Sequence, residues 1–156
     1  MIRIYDGFYV GDQTDCIPIA PGWATVHACK HPCHFGIIGK VGRNDKHYLS
    51  LDTGYNLYLN IIDPPKPLFK IETFTTALNF IKQHWHAGNP ILIHCNQGES
   101  RAPSIALLFL ANHTGIITNA SYDQAAERFI ELYPKYKPGQ GIQTFLRQHW
   151  LDLMAY

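Results

Sequence analysis

The sequence predicts an α/β domain, a central, mostly parallel sheet flanked by helices, in one unit spanning residues 1–156. Three observations carry this prediction. Short β-rich apolar runs alternate with longer stretches of helical periodicity. The run Ile91–His94 is apolar up to its last residue, as a strand buried on both faces requires. A tight polar loop, Cys95–Arg101, then leads from that strand directly into a helix start.

Ile2–Tyr5 and Phe8–Val10 are apolar pieces parted by Asp6-Gly7, a two-residue turn signal that predicts a hairpin or bend. Trp23–Cys29 alternates and is rich in β-formers, and Leu57–Ile62 is largely apolar; both are predicted strands. Ile71, Phe74, Leu78, Ile81 and Trp85 recur at spacings of three and four, which places them on one face of a helix ending near Gly88-Asn89-Pro90. The next helix runs from Arg101 to the region of His113. Its Ile105–Ala111 segment is apolar around most of its circumference, so it is central and buried, and Gly115 is its stop. Ser121-Tyr122-Asp123-Gln124 has capping-box form and opens a helix that halts before Pro134. Ile142, Phe145, Leu146, His149 and Leu153 mark a final helix.

At 156 residues and 46% hydrophobic content the chain is long enough for one well-buried core and too short for two comfortable ones. Thirteen basic and twelve acidic residues give a net charge of +1, which argues against extended binding to nucleic acid. The amino terminus lacks the apolar core of a secretory signal, and no apolar run approaches the roughly twenty residues of a membrane span. With four cysteines, these features predict a cytoplasmic protein whose thiols stay free, with no nucleic acid and no membrane among its partners.

The loop Cys95-Asn96-Gln97-Gly98-Glu99-Ser100-Arg101 carries the chemistry. Seven residues that leave a strand and enter a helix can curl their backbone N–H groups around a tetrahedral anion, and a helix N-terminus adds to that field. Gly98 permits the positive φ of so tight a curl, and Pro103 suits the first turn of the helix, where its missing N–H costs nothing. Arg101 supplies a planar fork for two oxygens. Inward amides, an arginine and a helix N-terminus all favour a thiolate over a thiol, which makes Cys95 a nucleophile at the bottom of an anion cradle. A stiff loop, Asp63-Pro64-Pro65-Lys66-Pro67, follows the Leu57–Ile62 strand and carries one carboxylate.

This loop resembles the signature of the cysteine-dependent protein phosphatases, in which five residues separate the cysteine from the arginine. His94, Gly98 and Ser100 also fall where the dual-specificity branch has them. The resemblance implies a phosphomonoester hydrolase that dephosphorylates protein phosphotyrosine, phosphoserine and phosphothreonine through a phosphocysteine intermediate. Cys95 is then the nucleophile, Asn96, Gln97, Gly98, Glu99, Ser100 and Arg101 bind the phosphoryl group, and His94 supports the cysteine backbone. It implies a general acid on a loop a few tens of residues before the cysteine, where Asp63 stands. No metal and no cofactor are expected, because the arginine and amides supply the charge stabilisation.

One position departs from the pattern. A hydroxyl residue usually follows the arginine and helps the cysteine leave when the intermediate is hydrolysed; here Ala102 stands in that place. The departure motivates an alternative, a low-turnover phosphate-binding module that recognises a phosphorylated partner. A thiol redox or rhodanese-like reading of Cys95 leaves the Asp63 loop without a role. Two other constellations stand in the chain. His27-Ala28-Cys29-Lys30-His31-Pro32-Cys33-His34 has the residue types that ligate zinc, but a full set would need donors from this one short segment or from distant residues such as Cys16 or His47, so a histidine-rich surface loop is preferred. Gln140 and Gln143 are read as solvated residues at the start of the last helix rather than as water-positioning groups.

Overall fold

Burial on both faces organises the sheet. Its strands are β1 (Ile2–Tyr5), β2 (Phe8–Gly11), β3 (Ala24–His27), β4 (Ser50–Asp52), β5 (Asn56–Leu59) and β6 (Ile91–His94), in the order β1-β2-β6-β3-β5-β4. The structure, a computed structural model, describes residues 1–16 and 21–156. The four inner strands β2, β6, β3 and β5 are mutually parallel, while β1 and β4 close the two edges antiparallel. Every residue of β3 and β6 is buried, as two covered faces demand.

Five helices complete the unit: α1 (Phe35–Ile38), α2 (Ile71–His86), α3 (Arg101–Phe109), α4 (Tyr122–Leu132) and α5 (Gln140–Met154). The periodicity of α2 is realised, with Phe74, Leu78 and Ile81 buried. In α3 every residue from Ala102 to Phe109 is buried, so the helix runs through the core rather than over it. A π-turn over Leu110–Thr114 extends it, and Gly115, at φ +70°, ends it in the left-handed conformation that glycine tolerates. Ser121 accepts a hydrogen bond from the Gln124 N–H at 3.2 Å and so caps α4.

The structure differs from the sequence expectations in three places. The strands anticipated over Trp23–Cys29 and Leu57–Ile62 are shorter, because their carboxyl ends peel away into the loops of the site. Strand β4 has three half-buried or exposed residues at the sheet edge, paired with β5, so no apolar pattern announced it. The expected four free thiols are corrected: Cys16 and Cys33 are joined as a disulfide, leaving Cys29 and Cys95 free and buried. Their Cα atoms lie 6.8 Å apart despite a sequence separation of 17, a proximity that only the folded strand ends create. Among the described residues, no helix is long and apolar enough to cross a membrane.

Aromatic packing ties α2 and α3 to the sheet. Phe8 on β2 stacks on Phe109 of α3 with ring centroids 5.4 Å apart, and Trp85 of α2 meets both rings edge-on at 5.9 and 5.8 Å. Truncating Phe109, which is 1% exposed, opens a cavity at this junction. Phe109→Ala is expected to cost about 3–5 kcal/mol in urea unfolding, with an unchanged m-value.

Candidate functional site

Three parallel strands, β2, β6 and β3, end side by side, and Cys95 is the first residue beyond the middle one. Its N–H donates to the Gly11 carbonyl at the end of β2, 3.4 Å away, and only 2% of the residue is exposed. It lines a cleft of about 320 Å³. The walls of that cleft bring together Asp63, Asn96, Gln97, Glu99, Ser100 and Arg101, and add Lys137 and Gly139. Residues remote in sequence thus meet outside the carboxyl ends of parallel strands, where α/β sheets place their ligands.

The loop is held from outside by its carbonyl groups. The Gln13 N–H donates to Asn96 O at 3.1 Å, the Tyr133 hydroxyl to Gly98 O at 2.5 Å, and the Lys137 N–H to Glu99 O at 2.8 Å. A trans peptide is planar, so a carbonyl tied outward turns the next residue's N–H the opposite way. The amides of Gln97, Glu99 and Ser100 therefore face the cleft. Burial pushes the Tyr133 hydroxyl up to about 12, which keeps it a proton donor across the physiological range. Gly98 has φ +71°, and a Cβ there would also come within 2.9 Å of Gly11 O, so two constraints require glycine.

Arg101 is clasped at both ends of its fork. One terminal nitrogen donates to Ile61 O at 3.1 Å, the other to Asn96 Oδ1 at 2.7 Å, and the buried Nε has no partner among the described residues. Asp63 follows Ile61 by two positions and is exposed on the cleft wall. Its carboxylate rests against the backbone of Gly139, where a Cβ would lie 2.6 Å from Oδ1, and a Cβ on Gly141 would overlap the carbonyl oxygens of Pro64 and Lys66. Both glycines stand at the start of α5, and bare backbone there lets the Asp63 loop pack close.

His94 is fully buried, and its Nε2 meets His27 Nδ1 at 2.6 Å. Its Nδ1 faces the Cys95 backbone in a geometry too loose for a formed hydrogen bond, so its firm contact runs to β3 rather than into the loop. Burial, with His27 beside it, pushes the His94 imidazole down to about 4, which keeps it neutral near pH 7. Ala102 is buried, and the hydroxyls on either side of it are engaged elsewhere. Ser100 Oγ accepts from the Gly139 N–H at 2.9 Å, and Ser104 Oγ pairs with the Tyr136 hydroxyl at 2.9 Å. Gln143 donates to Pro138 O at 3.0 Å, a local bond at the start of α5.

The histidine-rich segment divides: His27 and Cys33 turn inward beside Cys16 and His94, and the rest disperses. His34 Nε2 bonds His47 O at 2.9 Å, His31 packs its ring on Phe35, and Cys29 is a buried thiol that desolvation pushes up to about 11. Sequence reasoning missed Gln13, Tyr133, Lys137 and Gly139. The first two act on loop carbonyls from distant elements and leave no local pattern. The Lys137-Pro138-Gly139 turn did show a cation and a glycine together.

The whole arrangement matches solved structures over nearly its full length. Human DUSP28 superposes with a TM-score of 0.71 at 15% identity, covering 99% of this chain and 99% of that one. The human tyrosine phosphatase-like serine/threonine/tyrosine-interacting protein gives 0.69 at 19% identity, covering 99% and 97%. DUSP15 gives 0.69 at 18% identity, covering 99% and 92%. The fold is that of the dual-specificity phosphatases. No protein-family model matches the chain, and no curated protein matches it in sequence. The likeness to dual-specificity phosphatases is therefore one of architecture, and the loop geometry has to be judged on its own residues.

Tyr133→Phe tests that geometry, since it frees the Gly98 carbonyl without changing side-chain bulk. The variant is expected to lose about 1 kcal/mol of stability and to bind inorganic phosphate several-fold more weakly in calorimetric titration. Unchanged phosphate affinity would separate the outward bond from the orientation of the amides.

Proposed function

We propose that the chain is a phosphomonoester hydrolase that acts on phosphorylated protein through a phosphocysteine intermediate. The observation that supports this reading is that the carbonyls of Asn96, Gly98 and Glu99 are all tied outward in a loop whose Cys95 and Arg101 line the same cleft. Cys95 as thiolate attacks phosphorus. The amides and the Arg101 guanidinium stabilise the equatorial oxygens as charge redistributes. Asp63, on the opposite wall, protonates the departing oxygen, then takes a proton from the water that opens the phosphocysteine. The neutral, buried His94 takes no part in proton transfer and steadies the strand end from which Cys95 emerges.

Protein phosphate is preferred as substrate over lipid or RNA. Gln97 and Glu99 bring no positive charge to the loop, and among the described residues Lys137 is the one cation added to the cleft beside Arg101. A polyphosphorylated headgroup or an RNA end would call for more cations there. The cleft's modest volume suits the dual-specificity preference for phosphotyrosine, phosphoserine and phosphothreonine alike.

A second reading, a phosphate-binding module with little turnover, draws on Ala102. With Ser100 and Ser104 engaged elsewhere, no hydroxyl among the described residues hydrogen-bonds the Cys95 sulfur to ease its departure. Both readings share the binding step and differ in the fate of the intermediate.

With para-nitrophenyl phosphate, Cys95→Ser is expected to abolish turnover while keeping phosphate and vanadate binding, and Asp63→Ala to lower kcat by roughly 100- to 10,000-fold. Residual activity in Cys95→Ser comparable to wild type would overturn the mechanism, and a wild type that binds vanadate but releases no nitrophenol would favour the binding module. Rapid mixing is expected to show a burst of nitrophenol followed by a slow steady phase, with Ala102→Ser raising the slow rate. Brisk turnover without a burst would show that the missing hydroxyl does not matter here.

A further inference from the structure

Behind the phosphate loop, four side chains from four separate segments converge: Cys16 after β2, His27 at the end of β3, Cys33 in the turn that follows, and His94 at the end of β6. Their sulfur and ring-nitrogen atoms all lie within 4.8 Å of one another, and all but the half-buried Cys16 are buried. We infer that, with Cys16 and Cys33 reduced, this cluster is a closed four-coordinate site for a divalent ion of the zinc class.

The donor set is two thiolates and two imidazoles, the combination that zinc holds in structural sites. A tetrahedral ion at about 2.0 Å from nitrogen and 2.3 Å from sulfur keeps its donors roughly 3.3–3.8 Å apart, which the cluster reaches by small ring and sulfur movements. Cys33 Sγ and His94 Nε2 are already 3.9 Å apart. His27 and His94 are partners in the β3–β6 register, so both rings project to the same side of the sheet and aim Nδ1 and Nε2 at one point.

The hydrogen bonds around the cluster already orient its histidines as an ion would need. His27 Nε2 is paired with Asn56 Oδ1 at 2.9 Å, which fixes the proton on Nε2 and leaves Nδ1 as a lone pair, the orientation that outer partners impose on metal-bound histidine. His94 must then give its Nε2 proton to His27, and its own Nδ1 is left bare beside the Cys95 backbone with no formed bond. An ion between the rings takes both lone pairs, and the His94 proton moves to Nδ1, on the side of the Cys95 backbone.

The disulfide and the ion are alternative states of one site. A dithiol reductant delivers two electrons and two protons to Cys16 and Cys33 and is itself oxidised to a disulfide. The ion then displaces the two thiol protons and forms two metal–sulfur bonds. With no open position the site is structural, clamping the segments that hold Cys95 from behind.

The test uses the full chain purified under a phosphine reductant without chelator. Elemental analysis is expected to find about one zinc per chain, and cobalt(II) added to the reduced apoprotein to give the visible bands and thiolate charge transfer of a tetrahedral site. Cys16→Ser with Cys33→Ser is expected to remove the charge-transfer band, while Cys29→Ser keeps it. Asn56→Ala, which keeps all four ligands, is expected to weaken cobalt affinity roughly 10- to 100-fold. A reduced, folded wild type that retains no zinc and gives no tetrahedral cobalt spectrum would overturn the assignment. So would an unaltered spectrum in the double serine variant; should that variant fail to fold, the wild-type spectrum and Asn56→Ala decide.

Discussion

Everything about the loop depends on which way its peptide planes face. Three outward hydrogen bonds, from Gln13, Tyr133 and Lys137, fix the carbonyls of Asn96, Gly98 and Glu99, and planarity turns the next amides inward. A curl of like-oriented N–H groups repels itself electrostatically, so it has to be imposed by its surroundings. Here three different elements impose it: the turn after β2, the end of α4 and the segment leading into α5. The anion cradle is a property of the whole fold expressed in seven residues.

The surroundings have their own reasons to be where they are. Cys95 is placed by β6, which cannot shift along its axis because β2 and β3 flank it in parallel register and both of its faces are covered. Helix α3 leaves the loop straight into the core, so Arg101 sits at the boundary between a rigid apolar helix and a polar cleft. Tyr136 links two hydroxyls there, bonding Ser104 at 2.9 Å and Tyr122 at 3.0 Å. These buried polar groups satisfy one another, and α3 and α4 are tied together close to the cradle.

Much of this was legible in the chain because the cradle is local. Strand, loop and helix start are contiguous, and Cys95, Gly98 and Arg101 declare themselves by type and spacing. The inner strands were readable as short apolar runs, α2 and α5 from their period, α3 from its apolar circumference, and α4 from the cap at Ser121. Strand β4 was not, because an exposed edge needs no apolar pattern. Tyr133 and Gln13 were not, because a residue that bonds a distant carbonyl carries no mark of its partner. The cysteines show the same limit from the other side: Cys29 and Cys33 are neighbours in sequence, yet Cys33 keeps company with Cys16, His27 and His94, and only the ordering of strands brings those four together.

The bond from Arg101 to the carbonyl of Ile61 joins two halves of the site that are otherwise far apart along the chain. It makes the arginine a gauge of where the Asp63 segment lies, so the few residues between the end of β5 and Asp63 are fixed in number. A residue inserted there would pull the carboxylate out of place and unseat the guanidinium in the same stroke. Farther along, Leu68 is 73% exposed and points away from the core. An extra residue is therefore better borne near Leu68 than between β5 and Asp63, because only the second position moves the carboxylate and the guanidinium together.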